Sequence, residues 1–188
     1  KKSKIEKFYF FTERDWNDNE KNILKNINQN FKSKIVIRSS ALGEDSEENS
    51  QAGKFTTILN INPNNRGSVI KAINSVIRSY QSEGSKDSLN QILIQKQTLD
   101  SITSGVIFTK TLRNGSPYYV INYEDSKSTD SVTKGITNTK IEIYNETDEK
   151  IIPKKWLKLI SAVKEIQTIS KNEKLDIEFA ITKNTIII

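Results

Sequence analysis

The order of strand-like and helix-like stretches is the feature that most constrains this fold. In the first half of the chain, two stretches with apolar residues at helical spacing alternate with short apolar runs that are typical of strands. The helical stretches are 18–31 and 68–82, and the strand-like runs are 5–11, 34–39, 55–61 and 91–98. This alternation predicts a lobe in which helices cover a sheet.

The second half contains mostly strand-like runs. Asn114-Gly115 joins two of them and is a strong hairpin signal, while Pro153 is well placed to begin a helix that reaches about Lys171. The strand-like runs are 105–111, 118–123, 139–144, 175–182 and 185–188. The whole pattern predicts an α+β fold of two lobes, divided as 1–90 and 91–188, with a ligand cleft between them.

The chain contains neither cysteine nor histidine. This composition excludes disulfides, thiolate metal sites and every Ser-His or Cys-His pair within the segment. Any metal would have to be a hard ion held by carboxylates, and Mg2+ is the natural candidate.

Lysine and arginine exceed the acids, giving a net charge of +6, but the lysines are scattered along the chain rather than clustered. We therefore interpret them as solvated surface residues, and we expect neither nucleic acid nor membrane as a partner. No apolar run approaches the length of a membrane helix, so the expected location is cytoplasmic. Because methionine is absent, we also expect the chain to be a segment of a larger protein.

The most informative motif begins in the strand-like run Ile35-Val36-Ile37. This run ends in Arg38, Ser39 and Ser40, and a loop with small residues follows as Ser50-Gln51-Ala52-Gly53-Lys54. The planar guanidinium suits phosphate oxygens, and a glycine lets backbone N–H groups approach a polyphosphate. The motif predicts a phosphate-binding site, although an arginine in a surface ion pair with Glu44 or Asp45 would give the same pattern.

Two further motifs carry polar groups on strands. The run 92–97 ends in Gln95, Lys96 and Gln97, which could present an amide and backbone groups to an adenine edge or could be an ordinary hairpin strand with 104–109. In 175–181 the alternation places Asp176 and Glu178 on one face. They could hold Mg2+ or form a solvated acidic face.

Taken in order, these motifs resemble the nucleotide-binding domain of the phosphoenolpyruvate synthase and pyruvate phosphate dikinase family. The residues Arg38-Ser39-Ser40-Ala41, Glu44-Asp45-Ser46 and Ala52-Gly53 are similar to its "VRSSA…ED…S…AG" signature, Gln95 and 104–109 to its "VVVQ…SGVxFT" pair, and 176–180 to its "DIEFA" strand. The resemblance implies an ATP-grasp fold that binds ATP and Mg2+.

The resemblance also implies roles for individual residues. Arg38 would be the catalytic residue that contacts the ATP phosphates, and Asp176 and Glu178 would hold the metal. The remaining nucleotide contacts would come from Ser39, Ser50, Gly53, Lys54, Gln95, Lys96, Gln97 and, in place of a family glutamate, Asp130.

This sequence departs from the family in two places. The glycine-rich family loop is replaced by a polar stretch around Asp130, and the glutamine and arginine that follow the "DIEFA" strand in the family would lie beyond Ile188. The family's amino-terminal phosphate-binding lysine would lie before Lys1.

The implied function is an ATP-dependent phosphotransferase of the kinase or dikinase type. In the family, the phosphoryl group passes to a histidine on a separate domain of the same protein and then to a small-molecule acceptor. The acceptor would be pyruvate or the amide of L-glutamine, as in the glutamine kinases of bacterial capsule biosynthesis. The alternatives are a degenerate, non-catalytic nucleotide-binding module and a basic nucleic-acid-binding module.

Overall fold

A computed structural model describes residues 1–42, 45–46, 49–50, 55–84, 87–125 and 139–188. The chain divides into two compact units. The N-terminal unit contains Glu6–Gln97, and the C-terminal unit contains Lys1–Ile5 and Thr98–Ile188. The sequence prediction divided the lobes between residues 90 and 91, whereas pairing in the first sheet places residues 91–96 in the N-terminal unit.

The N-terminal unit, in the part that the structure describes, has a four-stranded antiparallel sheet and two helices. The strands lie in the order β1-β6-β2-β5, and a separate two-stranded ribbon pairs β3 with β4. The elements are β1 (Phe8–Thr12), α1 (Glu13–Asn30), β2 (Ile35–Ser40), β3 (Asp45–Ser46), β4 (Asn49–Ser50), β5 (Thr57–Ile61), α2 (Arg66–Ser82) and β6 (Gln91–Lys96).

Helix α1 begins five residues earlier than its apolar spacing predicts. Thr12 and Asp15 form a capping box, in which the Thr12 hydroxyl accepts from the Asp15 N–H and the Asp15 carboxylate accepts from the Thr12 N–H. The backbone then leaves helical geometry at Asn19 before the regular part continues. The cap therefore starts the helix ahead of the periodic apolar residues.

Both helices cover the same face of this sheet. Alternate residues of the inner strands face them, and the core is one continuous cluster that includes Ile35, Ile37, Ile92 and Ile94 with side chains of α1 and α2. The residues between them in sequence, such as Val36, Arg38, Leu93 and Gln95, point to the opposite face, which we call the outer face.

The C-terminal unit is a five-stranded antiparallel sheet with one long helix in its described part. The strands lie in the order β11-β10-β7-β8-β9. The elements are β7 (Thr103–Phe108), β8 (Tyr118–Glu124), β9 (Thr139–Tyr144), α3 (Lys154–Ser170), β10 (Asp176–Ile181) and β11 (Ile186–Ile187), with a single 3-10 turn at Glu149–Ile151.

Helix α3 packs against one face of the second sheet. Trp156, Leu159, Ile160 and Val163 of the helix meet inward side chains of the strands, such as Ile107, Ile121, Ile177 and Phe179. Gly105 lies on β7 opposite Tyr123 of β8, and a Cβ atom at this position would lie 2.8 Å from the Tyr123 Cα and closer still to the Asn122 carbonyl oxygen. The two strands therefore approach too closely for any side chain at Gly105.

The described architecture confirms the predicted α+β class. Two antiparallel sheets are each covered by helices, with α1 and α2 on one and α3 on the other. Among the described residues, none of the helices combines the length and the apolar character that crossing a membrane requires.

Candidate functional site

Arg38 and Gln95 share the outer face of the first sheet. Arg38 pairs with Leu93 of β6, and Gln95 pairs with Val36 of β2, so the two residues are diagonal neighbours on adjacent strands. Diagonal neighbours in an antiparallel pair are roughly 7–8 Å apart, which long side chains can span. Both side chains are half-buried. The sheet therefore places a guanidinium and an amide next to each other on one surface.

The other predicted nucleotide contacts of this sheet point elsewhere. Ser39 is buried on the face that the helices cover. Lys96 donates to both carboxylate oxygens of the buried Glu6 at 3.2 Å. Gln97 is buried and hydrogen-bonded to Asn60. Gln95 is therefore the residue of the predicted adenine hinge that lies within β6 and shares the outer face with Arg38. The nucleotide roles of the other two stay predictions.

Part of the predicted phosphate-binding loop lies outside the described residues. Ser50 ends strand β4 and pairs with Asp45 of β3. Gly53, Lys54 and Asp130 fall outside the described ranges. Their predicted contacts with the nucleotide stay predictions.

Asp176 and Glu178 share one face of β10, which confirms the predicted alternation. Both are exposed, whereas Ile177 and Phe179 between and beyond them are buried against the α3 side. Because Asp176 and Glu178 lie two residues apart on a strand, their Cα atoms are separated by roughly 7 Å. The row through Glu178 continues across the sheet to Val106, Asn122 and Lys140. This face therefore offers two carboxylates and, one strand beyond Val106, an amide.

The carboxylate pair is compatible with Mg2+ as the expected ion. Mg2+ is commonly bound through one or two carboxylates together with phosphate oxygens of the substrate and water. No group of three or more Asp or Glu residues suited to a metal ion occurs in the described part of the chain, so a site formed wholly by acidic side chains is not found there. The donor set fits an ion that also needs the phosphates of a nucleotide.

A polar cluster at the end of β8 was not anticipated from the sequence. The Thr103 hydroxyl donates to the Asp125 carboxylate at 2.5 Å, and the Lys155 ammonium group contacts the same carboxylate oxygen at 2.9 Å. These contacts, with the Thr103 hydrogen bond as the larger cause, lower the pKa of Asp125. The same ammonium lies 4.4 Å from the ring centre of Trp156 and 5.0 Å from that of Tyr123.

This cluster joins the sheet to α3 just before the predicted loop around Asp130. Three separate segments supply it, so no local spacing could have revealed it. The nearest signal in the sequence is that Asp125 directly follows a strand-like run. We interpret the cluster as a structural anchor for the carboxyl end of β8.

Comparison with known families identifies the class of this chain. Residues 13–124 match the family described as the pyruvate phosphate dikinase, AMP/ATP-binding domain. The match covers more than half of the chain, which therefore belongs to this family. The matched region includes Arg38 and Gln95 and ends before Asp176 and Glu178. Together with the two antiparallel sheets, it confirms the predicted ATP-grasp fold class and a domain that binds adenine nucleotides.

Solved structures and curated proteins were also compared with the chain. D-alanine-D-alanine ligase from Helicobacter pylori aligns with a TM-score of 0.49 and 12% identity over 98% of this chain and 44% of that one. D-alanyl-alanine synthetase A from Vibrio cholerae O1 biovar eltor aligns with a TM-score of 0.47 and 16% identity over 99% of this chain and 49% of that one. The chain thus spans about half the length of each. No curated protein matches it.

Proposed function

We propose that this domain binds ATP through the outer face of its first sheet, with Arg38 at the phosphates and Gln95 near the adenine. The observation that carries the proposal is the position of these two residues as diagonal neighbours on one surface, within the region that matches the family. A guanidinium forms two parallel hydrogen bonds with phosphate oxygens, and an amide can donate to and accept from an adenine edge.

Asp176 and Glu178 are the residues that we propose to hold Mg2+. Their shared exposed face supports this role. When bound, the ion would neutralise part of the negative charge on the nucleotide phosphates. The two carboxylates would hold the ion on the exposed face of β10.

The proposed reaction is transfer of a phosphoryl group from ATP to a histidine on a separate domain. A phosphorus–oxygen bond of ATP breaks while a phosphorus–nitrogen bond to the imidazole forms, and the leaving phosphate oxygens keep the electron pair. Such transfer needs positioning and neutralisation of charge more than covalent chemistry by this domain. The absence of histidine from the chain agrees with an acceptor imidazole outside it.

The final acceptor in this proposal is a small molecule, either pyruvate or the amide of L-glutamine. The glutamine kinase assignment is the narrower form of the proposal, and a cytoplasmic setting belongs with it. The described residues supply no acceptor-binding group that would choose between the two molecules.

Phosphorus NMR of the full-length protein tests the reaction. The protein is incubated with ATP and Mg2+, first alone and then with pyruvate or L-glutamine. The proposal expects an acid-labile phosphohistidine signal without acceptor, and its replacement by a phosphorylated product with one acceptor. Consumption of ATP with release of inorganic phosphate alone, and no phosphohistidine, would contradict the transfer step.

A further inference from the structure

The C-terminal unit contains a cavity in which lysine is the most frequent lining residue. Its volume is about 760 Å³, and it lies between the first residues of the chain, the start of α3 and the turn that joins β10 to β11. Seven of its fifteen described lining residues are lysine, and none of those fifteen is aspartate or glutamate. Small-molecule sites commonly have volumes of about 300–1,000 Å³.

The positive charge of this cavity is only partly neutralised. Lys155 is paired with Asp125. The Glu165 carboxylate, which accepts from the backbone N–H of Lys2, brings a negative charge close to the first residues of the chain. Lys154, Lys158 and Lys183 also line the cavity and are exposed. Within the described chain, these three side chains make no hydrogen bond or ion pair. Three ammonium groups on two different segments therefore face a common space without acidic partners among the described residues.

The N-terminal end of α3 adds to the positive electrostatic potential in this cavity. The helix runs for 17 residues from Lys154, and its N-cap, Pro153, provides no side-chain hydrogen bond to the first turn. The N-terminal end of a helix carries partial positive charge and presents backbone N–H groups that favour anions. The helix end and the lysine side chains therefore favour a negatively charged occupant.

The remaining lining residues indicate what kind of anion fits. Ile102, Ile181 and Ile186 give the cavity an apolar part, and Ser161 contributes a hydroxyl group. No aromatic ring or arginine occurs among the described lining residues. These residues therefore offer neither a ring on which a base could stack nor a planar guanidinium group. Point-like ammonium donors on more than one side of the cavity suit an ion that carries several charges.

We propose that this cavity binds a compact small molecule that carries several phosphate groups. Among the described residues, none of those assigned to the nucleotide or the metal lines the cavity. Attraction between exposed charges weakens with ionic strength, so affinity for such a ligand should fall as salt rises.

The probe for this proposal is sodium tripolyphosphate, titrated by calorimetry into the protein in the presence of EDTA. The test variant carries Lys154→Gln, Lys158→Gln and Lys183→Gln. Removing three charges near a trivalent or higher anion should weaken binding by roughly tenfold or more. All three side chains are exposed, so the variant should fold, and its thermal midpoint verifies this.

Two control variants separate binding in the cavity from binding elsewhere on the protein. The first carries Lys21→Gln, Lys25→Gln and Lys71→Gln, which removes the same charge from exposed positions on α1 and α2 and should leave binding unchanged. The second carries Arg38→Ala, which should impair ATP binding but leave unchanged the part of tripolyphosphate binding that depends on the three cavity lysines. Together they distinguish failure of this inference from failure of the proposed function.

Three results would overturn the proposal. Equal losses in both lysine variants would mean attraction by net charge alone. Loss of tripolyphosphate binding in the Arg38 variant, with no loss in the cavity variant, would place the anion at the ATP surface. Tighter binding of a short single-stranded oligonucleotide that depends on the same three lysines would make the cavity part of a nucleic-acid surface instead.

Discussion

The side chain of Gln97 holds Asn60 at two points. Its oxygen accepts from the Asn60 backbone N–H at 2.8 Å, and its amide nitrogen donates to the Asn60 side-chain oxygen at 3.2 Å. Asn60 has a φ of 63°, and the pairing of β5 with β2 shifts register nearby. A buried glutamine thus satisfies the polar groups of an irregular strand segment, a structural role that differs from the nucleotide contact predicted for it.

Replacing Gln97 with leucine should destabilise the N-terminal unit. The Asn60 N–H would lose its buried acceptor, and the expected cost is roughly 1–3 kcal/mol. Urea denaturation measures this change. Gln95→Leu is the matched control, because Gln95 lies on the outer face; it should change stability less and weaken nucleotide binding more. The opposite pattern would reverse the roles assigned to the two glutamines.

Replacing Gly105 with alanine should be costly because the added Cβ would collide with the backbone of β8. Overpacking of this kind costs roughly 1–3 kcal/mol, and rigid backbone atoms favour the upper part of that range. Gly67 in the first turn of α2 is the control, since its nearest neighbour would be 3.6 Å away. Gly67→Ala should leave stability unchanged or raise it slightly. Equal thermal midpoints for both variants would contradict the close approach of β7 and β8.

The contribution of Asp125 to the stability of the fold should depend on pH in a specific direction. Hydrogen bonds from Thr103 and Lys155 lower its pKa from 3.8 in the folded state, so the carboxylate stabilises the fold above the unfolded pKa. That contribution is lost as the pH falls through the lower, folded pKa. The difference in thermal midpoint between wild type and Asp125→Asn should therefore be larger at pH 7 than at pH 2.

Asp100→Asn provides the control for this titration. Asp100 is an exposed carboxylate of the same unit that makes no hydrogen bond or ion pair with the described residues. Its substitution should leave the thermal midpoint nearly unchanged at both pH values. A stability difference for Asp125→Asn that stays constant with pH would contradict the ionised cluster.

Asp176→Asn with Glu178→Gln should reduce the effect of Mg2+ on nucleotide affinity. If these carboxylates hold the ion, the gain in ADP affinity on adding Mg2+ should fall by about tenfold or more, while metal-free binding should change little. Calorimetric titrations with and without EDTA measure both values. Asp100→Asn again serves as the control. An undiminished effect of Mg2+ on ADP affinity in the double variant would contradict the metal-binding role of Asp176 and Glu178.

Local patterns in the sequence predicted most of the architecture. The alternation at Asp176–Phe179 and the apolar spacing of α2 reflect periodicities that belong to single elements, and the structure confirms both. The predicted start of α1 was wrong because the capping box at Thr12 lies ahead of the apolar repeat. Contacts between distant segments were out of reach, as with Gln97 and Asn60 or Asp125 and Lys155, because nothing in the local spacing encodes them.

In the candidate site, too, local patterns could be predicted from the sequence and contacts between distant segments could not. The motif containing Arg38 predicted a strand end with a guanidinium, and strand register then placed Gln95 beside it. Sequence order alone grouped Gln95, Lys96 and Gln97 as one hinge. The structure separates them, because alternation directs neighbouring residues to opposite sides and because Lys96 and Gln97 have partners within the fold.

The most direct test of the account is calorimetric titration of ATP, in the presence of Mg2+, into the wild-type chain and into Arg38→Ala. Hydrogen bonds to charged groups contribute roughly 1.5–3 kcal/mol, so the variant should bind about 10- to 100-fold more weakly. Arg78→Ala removes an equal charge from the exposed face of α2 and should bind as the wild type does. Absence of ATP binding by the wild type, or equal affinity of the wild type and the Arg38 variant, would contradict the proposed nucleotide site.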